Sequence, residues 1–445
     1  MSVTEQQKTE ATAPPSADAA AARPAGRLGW LDALRGVAAM VVPLHHFGVL
    51  KLVPHGAYIE RHFDLGIYAV MLFFLVSGYI VPASLERRGD VRGFWIGRIF
   101  RIYPLVAVTV LASLLLPDDY AALNHTVVEH PVRSALANGL LLQEMLHVPN
   151  AIGAMWTLCY EMVFYFLVAA LFVVNLHRRS ASIATGFAAA ALLLGAAVSP
   201  TILISVDRAS TRNLIAVAVV VVVASLAAIL SGRTAAVRAG SLVLGLLGLV
   251  LALGNARSTF FETMMIFATM FAGTVIHRME KGQLGRLPGL LCCGFVLTSG
   301  VLVGYLYNHG AALDRTWTHH WAGFSLPYLA AWISFGVGML LRHRAFPRVL
   351  TWLGAISYSV YIVHIPLMFV VWWALKGYHP AQHGVEKFVP ALVFVATVLV
   401  VSHLTYRLVE LPGQNLGRRL TKAVNRRSAA GARPATEPQA GPAAP

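Results

Sequence analysis

The sequence predicts an all-α, polytopic transmembrane helix bundle of about 10–12 spans plus a short re-entrant or interfacial segment, and three observations carry that expectation. Of the 445 residues, 57% are hydrophobic and only 12% charged, a balance outside the usual range of soluble globular domains. The apolar residues gather in runs close to the ~20 that a helix needs to cross a bilayer. Lys and Arg exceed Asp and Glu by 35 − 20 = +15, and the excess falls in short clusters between the runs. With no continuous basic face, nucleic acid is not an expected partner. Cys159, Cys292 and Cys293 sit inside apolar runs, so neither a disulfide framework nor a metal site is expected.

Taken in order, residues 1–27 are rich in Ala, Pro, Thr, Gln and Glu without an apolar core and cleavage site, and read as a disordered tail instead of a signal peptide. A membrane-embedded domain is expected over 28–412. Its twelve crossings are placed near 31–50, 65–84, 102–116, 154–175, 183–204, 214–230, 240–253, 260–276, 290–306, 323–341, 352–375 and 389–408. The apolar segment 135–146 is too short to cross, and so reads as the re-entrant or interfacial one. Residues 413–445, basic and rich in Ala and Pro, read as a second disordered tail.

The charge clusters test this order. Arg87, Arg88, Arg92, Arg98 and Arg101 fall on one side, followed by Arg178 and Arg179, Arg233 and Arg238, Arg278, Lys281 and Arg286, Arg342, Arg344 and Arg348, and the C-terminal Arg418, Arg419, Lys422, Arg426 and Arg427. Asp64, Asp118, Asp119, Glu129 and Asp314 fall on the other. An even number of crossings, with both termini cytoplasmic and the protein in the plasma membrane, fits this asymmetry.

Ionisable groups inside spans are costly, so each is a functional candidate. In the first span Arg35 and His46 are eleven residues apart, about three turns plus ~20° at ~100° per residue, so they share a face. His45 points ~100° away from His46. Histidines packed against neighbouring helices are the plainer alternative. Thr157, Glu161 and Tyr165 form an i, i+4, i+8 stripe beside Trp156. Glu161 could orient a histidine or tie two helices together. Arg98 and Arg101, one turn apart if the 87–104 loop is helical there, suit phosphate, although topology and anionic lipid also account for such a cluster. Ser357, Tyr361 and His364 make a polar stripe in the eleventh span, and Arg407 with Glu410 reads as a structural i, i+3 pair.

Together these residues resemble the acyltransferase-3 family of integral membrane O-acyltransferases, which modify sugars and related hydroxylated molecules. The likeness runs from about Leu31 to Pro412 and rests on six motifs in order. They are Arg35-x10-His46, Phe73-Phe74-Leu75-Val76-Ser77-Gly78-Tyr79, Arg98-x-x-Arg101-Ile102-x-Pro104, Trp156-Thr157-Leu158-x-x-Glu161-x-x-Phe164-Tyr165, Ser357-Tyr358 to His364, and Tyr406-Arg407 to Glu410. Gly97 stands where many relatives carry a further Arg, Thr157 replaces the commoner Ser, and twelve crossings exceed the usual ten or so. The resemblance implies an acyl-CoA donor, usually acetyl-CoA, reaching the site from the cytoplasm, and no tightly bound cofactor. It also implies His46 as catalytic base aided by Glu161, Arg35, Arg98 and Arg101 at the donor, and Ser77, Tyr79, Trp156, Tyr358 and His364 around the substrates. The acceptor would be a hydroxyl of an envelope polysaccharide, oligosaccharide or macrolide-like metabolite. A transporter or flippase without acyl-transfer chemistry is the main competing reading. A membrane glycosyltransferase would need an acidic pair near the first span, and Asp118–Asp119 follows the third.

Overall fold

The computed structural model describes residues 29–116, 125–199, 201–203, 208–310, 313, 316–318, 320–378 and 384–431. The segment 1–27, Asp118, Asp119 and Asp314 lie outside them. Among the described residues the regular structure is helical, apart from an isolated bridge between Thr201 and Asn255.

Helix α1 (Gly29–Phe47) is followed by the short α2 (Gly56–His62). Asp64 starts α3 (Leu65–Arg88) by accepting from the Ile67 amide at 2.9 Å, and Gly89, at φ 64°, ends it. Asp90 caps α4 (Val91–Ser113), accepting from the Gly93 amide at 2.8 Å. Next come α5 (His125–Glu129) and α6 (Pro131–Gly139), then a buried, irregular stretch holding Leu141, Leu142, Met145 and Leu146. This is the segment too short to cross. α7 (Trp156–Val173), α8 (Ser180–Leu194), α9 (Arg208–Leu230) and α10 (Thr234–Gly254) precede α11 (Phe260–Glu280), which a reciprocal Thr259–Glu262 capping box opens. The chain continues through α12 (Arg286–Tyr307), α13 (Trp321–Leu340), α14 (Arg348–Ala374) and α15 (Val389–Thr405), and a π-helical turn at Tyr406–Glu410 leads into α16 (Leu411–Gly431).

Each of the twelve expected crossings corresponds to a helix: α1, α3, α4 and α7 to α15. Ten segments among the described residues have the length and hydropathy of a membrane span. α1, with Asp32 and Arg35, and α8, with 15 residues, fall short of that measure. The core is built on α3, α7, α11 and α14, whereas α9 turns Val217, Val220 and Val223 outward, as a lipid-facing helix should. α1 lies along α14 at a crossing of two glycines. A Cβ on Gly36 would stand 2.6 Å from the Leu350 carbonyl oxygen and 2.9 Å from the Gly354 amide, so only glycine permits this approach. The contact brings the C-terminal part of α1 beside the middle of α14, and His46 beside His364.

Three expectations need correction. The 87–104 loop is for the most part helix, because the Asp90 cap starts α4 eleven residues before the expected boundary at 102. The expected tail 413–445 is helical through Gly431, since Gly413 and Gly417 give α16 a narrow face that docks on Phe100 of α4; residues 432–445 lie outside the described residues. The Arg407–Glu410 pair is not among the ion pairs of the described residues. The π-helical turn separates the two, leaving Arg407 exposed and burying Glu410, which accepts from Ser359 Oγ at 3.0 Å.

Candidate active site

Three cavities follow one another along the bundle, with volumes, including their open mouths, of about 1470, 870 and 1130 Å³. The first, at the arginine-rich end, is lined by Arg88, Arg98, Arg101, Arg418 and Lys422. The second is central and lined by Arg35, Ser77, Glu161, Tyr165, Ser357 and Tyr358. The third holds His45, His46, Asp64, Glu144, Trp156 and Trp317. Ile80, Arg98 and Arg101 border the first and second, while Val70 and Tyr361 border the second and third. α3 alone passes from Gly66 in the third to Arg88 in the first. Those 88 − 66 = 22 steps cover about 33 Å at ~1.5 Å per residue, close to the ~30 Å hydrocarbon core.

His46 is open to the third cavity, and its ring is oriented by acceptors. Its Nδ1–H donates to the Val42 carbonyl at 3.0 Å, because a carbonyl can only accept. His364 Nδ1–H likewise donates to the Tyr361 carbonyl at 2.8 Å, and its Nε2, 3.4 Å from His46 Nδ1, is then a second acceptor for the same proton. These bonds select the His46 tautomer whose Nε2 carries the lone pair. Nε2 has no hydrogen-bond partner among the described residues. His45 lines the same cavity, with Nδ1 3.9 Å from the Asp64 carboxylate, so both histidines reach it despite their angular separation. What distinguishes His46 is His364.

Glu161 occupies the central cavity. It accepts from Tyr165 Oη at 2.5 Å and from Ser77 Oγ at 3.5 Å, and these partners do not include His46. Between them stand Thr157 and Tyr361, whose hydroxyls are 2.6 Å apart, and Phe73, edge-on to the Tyr361 ring at 5.9 Å. Arg98 is buried, donating to Tyr165 Oη at 3.5 Å and Ser84 Oγ at 3.3 Å, with its guanidinium 4.8 Å over the Tyr165 ring. Tyr358, at the central cavity, donates to the Ile102 carbonyl at 2.8 Å.

Two expected substrate contacts lie elsewhere. Tyr79 touches none of the three cavities; it packs on Trp30 and Phe335 and hydrogen-bonds Glu280. Ser77 and Tyr79 are two residues apart, ~200° around a helix, so one motif places them on opposite faces. His364 is fully buried and lines none of the three cavities, reaching the site through His46.

Sequence reasoning missed most of the third cavity. Trp156 faces Trp317 there at 5.0 Å between ring centroids, and Glu144, Asn150, Arg257 and Ser258 complete the wall. Asn150 Nδ2 donates to Glu144 Oε1 at 2.5 Å, Gln143 Nε2 donates to Asn150 Oδ1 at 2.9 Å, and the Arg257 amide donates to the Glu144 carbonyl at 3.1 Å. Burial raises the Glu144 carboxyl above its ordinary value, against the opposing pull of the Asn150 hydrogen bond and the Arg257 charge. These residues come from three connections, Glu144 and Asn150 before α7, Arg257 and Ser258 before α11 and Trp317 before α13, and no spacing links one connection to another. Among the described residues no group of side chains is arranged to hold a metal ion. Such an arrangement suits group transfer: an oriented histidine beside a wall of polar and aromatic groups, with cation-lined cavities in line behind it.

A family model described as "Acyltransferase domain", that of the acyltransferase-3 group, matches residues 28–407. The chain is 32% identical over 147 residues to "Acyltransferase MdmB" of Streptomyces mycarofaciens, which is 31% of this chain and 38% of that protein. It is 29% identical over 146 residues to "O-acetyl transferase" of Shigella phage Sf6, covering 31% and 43%. The matched stretch therefore spans less than half of each relative. No solved structure matches the chain.

Proposed function

The chain belongs to the acyltransferase-3 family, and on that premise we propose that it is a membrane O-acyltransferase moving an acyl group, in the first instance acetyl, from acyl-CoA to a hydroxyl of a carbohydrate or glycosylated metabolite. The observation carrying this reading is the row of three cavities, neighbours sharing wall residues, that runs from a cationic mouth to an oriented histidine. The donor is held at the arginine-rich end, which by its charge is the cytoplasmic one. Arg98 and Arg101 meet its diphosphate, and Arg35 meets the carbonyls of the pantetheine arm. Glu161 is a positioning residue that holds Tyr165 against Arg98. The thioester lies at the border formed by Val70, Thr157 and Tyr361, and the acceptor fills the third cavity between Trp156, Trp317 and Glu144.

His46 Nε2 removes the acceptor hydroxyl proton as that oxygen attacks the thioester carbonyl carbon. Of the two hydroxyls in the Thr157–Tyr361 pair one donates to the other, so the second hydrogen is free to meet the oxyanion. Collapse of the tetrahedral intermediate breaks the carbon–sulfur bond, and the leaving thiolate takes the proton back from His46. An ester and free CoA result, with His46 restored.

The test is to incubate membranes holding wild-type or His46→Ala protein with labelled acetyl-CoA and an extract of host envelope and metabolites, following label into alkali-labile esters. Label that depends on His46 is expected, and its product names the acceptor. Equal label from both proteins, or none from either after longer acyl-CoAs, would favour a transporter.

A further inference from the structure

The cavity at the arginine-rich end is closed on one side by α16, a helix beyond the matched family region, which ends at 407. Its docking is specific. A Cβ on Gly417 would lie 2.7 Å from Phe100 Cβ, and one on Gly413 would lie 2.9 Å from the Phe100 carbonyl oxygen, so these two positions, one turn apart, seat the helix on α4. Within the seat Gln414 Nε2 donates back to Glu410 Oε1 at 3.0 Å, and beyond it Asn425 Nδ2 donates to Asp90 Oδ2 at 3.0 Å. Arg418 and Lys422, again one turn apart, line the cavity with Arg88, Arg98 and Arg101.

Five cations and one carboxylate thus line this space, a sum of 5 − 1 = +4, with the Glu410 and Glu161 carboxylates acting on Arg101 from behind the wall. The carboxylate, Asp90, is already engaged by the Gly93 amide and Asn425. Among the described residues none of the five cations has an ion pair. Like charges gathered around a cavity repel one another until an anion fills it. Because Arg98 and Arg101 also border the central cavity, an anion bound here can extend an uncharged arm inward, which a headgroup resting on the surface cannot.

We propose that α16 is one wall of a polyphosphate site and that Arg418 and Lys422 bind the nucleotide phosphates of the donor, a diphosphate and a 3′-monophosphate. This rests on the acyl-CoA reading above. Lipid headgroups share the same phosphate chemistry, so the experiment separates the two sources.

The full chain is placed in nanodiscs of phosphatidylcholine alone, and free CoA is titrated calorimetrically into wild-type protein, Arg98→Gln, the double variant Arg418→Gln/Lys422→Gln, and Gly417→Leu. Arg418 and Lys422 are exposed, so their replacement spares the fold. The double variant is expected to bind CoA about tenfold or more weakly, in keeping with the loss of charge-assisted hydrogen bonds. Gly417→Leu, which lifts α16 from α4, should do the same with both cations intact. Wild-type affinity for CoA in both variants, with only their response to added anionic lipid reduced, would overturn the proposal in favour of headgroups while leaving the donor reading intact. Absence of CoA binding by the wild-type protein would overturn the donor reading itself, and this proposal with it.

Discussion

The two ends of the cavity series use charge in opposite ways. At the arginine-rich end, cations face one cavity with no ion pair among the described residues, and the carboxylate beside them is spent on capping α4 and holding α16. At the other end Asn150 holds Glu144, Asp64 stands 3.9 Å from His45, and His46 is oriented by Val42 and His364, in a cavity whose wall carries the contacting indoles of Trp156 and Trp317. On the proposed reading, the first is a site whose electrostatics are completed by its ligand, and the second is a site organised in advance. Binding by an excess of positive charge draws a polyanion from a distance and falls with salt. A preorganised wall with an oriented base has little left to reorganise when the reaction begins. This contrast suits one end to holding a phosphorylated donor and the other to the chemistry and the acceptor.

Predictions that sharpen the contrast begin with the base. His46→Ala should lower kcat by about 10²–10⁴-fold, the range for a general base, while CoA affinity measured by calorimetry stays unchanged. His45→Ala should be milder, and a reversed order would contradict the tautomer assigned through Val42 and His364. Next in size is His364→Ala, expected to lower kcat about tenfold without moving either KM, because His364 touches neither cavity. His364→Gln, whose side-chain carbonyl can still accept from His46 Nδ1, should recover most of the loss, a rescue that packing alone would not give.

The smallest effect concerns Glu144. If its carboxylate accepts hydrogen bonds from the acceptor hydroxyls, protonation weakens binding. Burial raises this group above 4.5, so the acceptor KM should begin to climb on acidification at a higher pH than a free carboxylate would set. Glu144→Gln should flatten that dependence and raise KM a few-fold at neutral pH, with donor KM unchanged. Initial rates at several pH values for both proteins check the sign.

Much of the bundle was legible because apolar runs of spanning length have few alternatives in lipid. Ten of the twelve helices follow from that alone, and α1 and α8 are the two that fall short of the measure. The start of α4 was not, since Arg92, Arg98 and Arg101 disguise a helix that Asp90 caps, and α16 was not, since an Arg- and Ala-rich segment declares itself only when its glycines meet Phe100. In the site, Arg35, His46 and Glu161 stood out as ionisable groups in apolar surroundings, and all three line the cavity series. Tyr79 did not belong there, because membership of a motif says nothing about which face a residue takes. Glu144, Asn150, Arg257 and Trp317 carried no signal, for only the tertiary fold brings their connections together.

The most direct test of the division between the two ends is sidedness. The protein is reconstituted in sealed vesicles, its orientation read from protease access to a tag placed after α16, with membrane-impermeant labelled acetyl-CoA supplied to one face and the hydroxylated acceptor to the other. Ester should form only when the donor is on the face that bears the tag and the acceptor is on the opposite one. Ester formation that requires both on the same face would contradict the account.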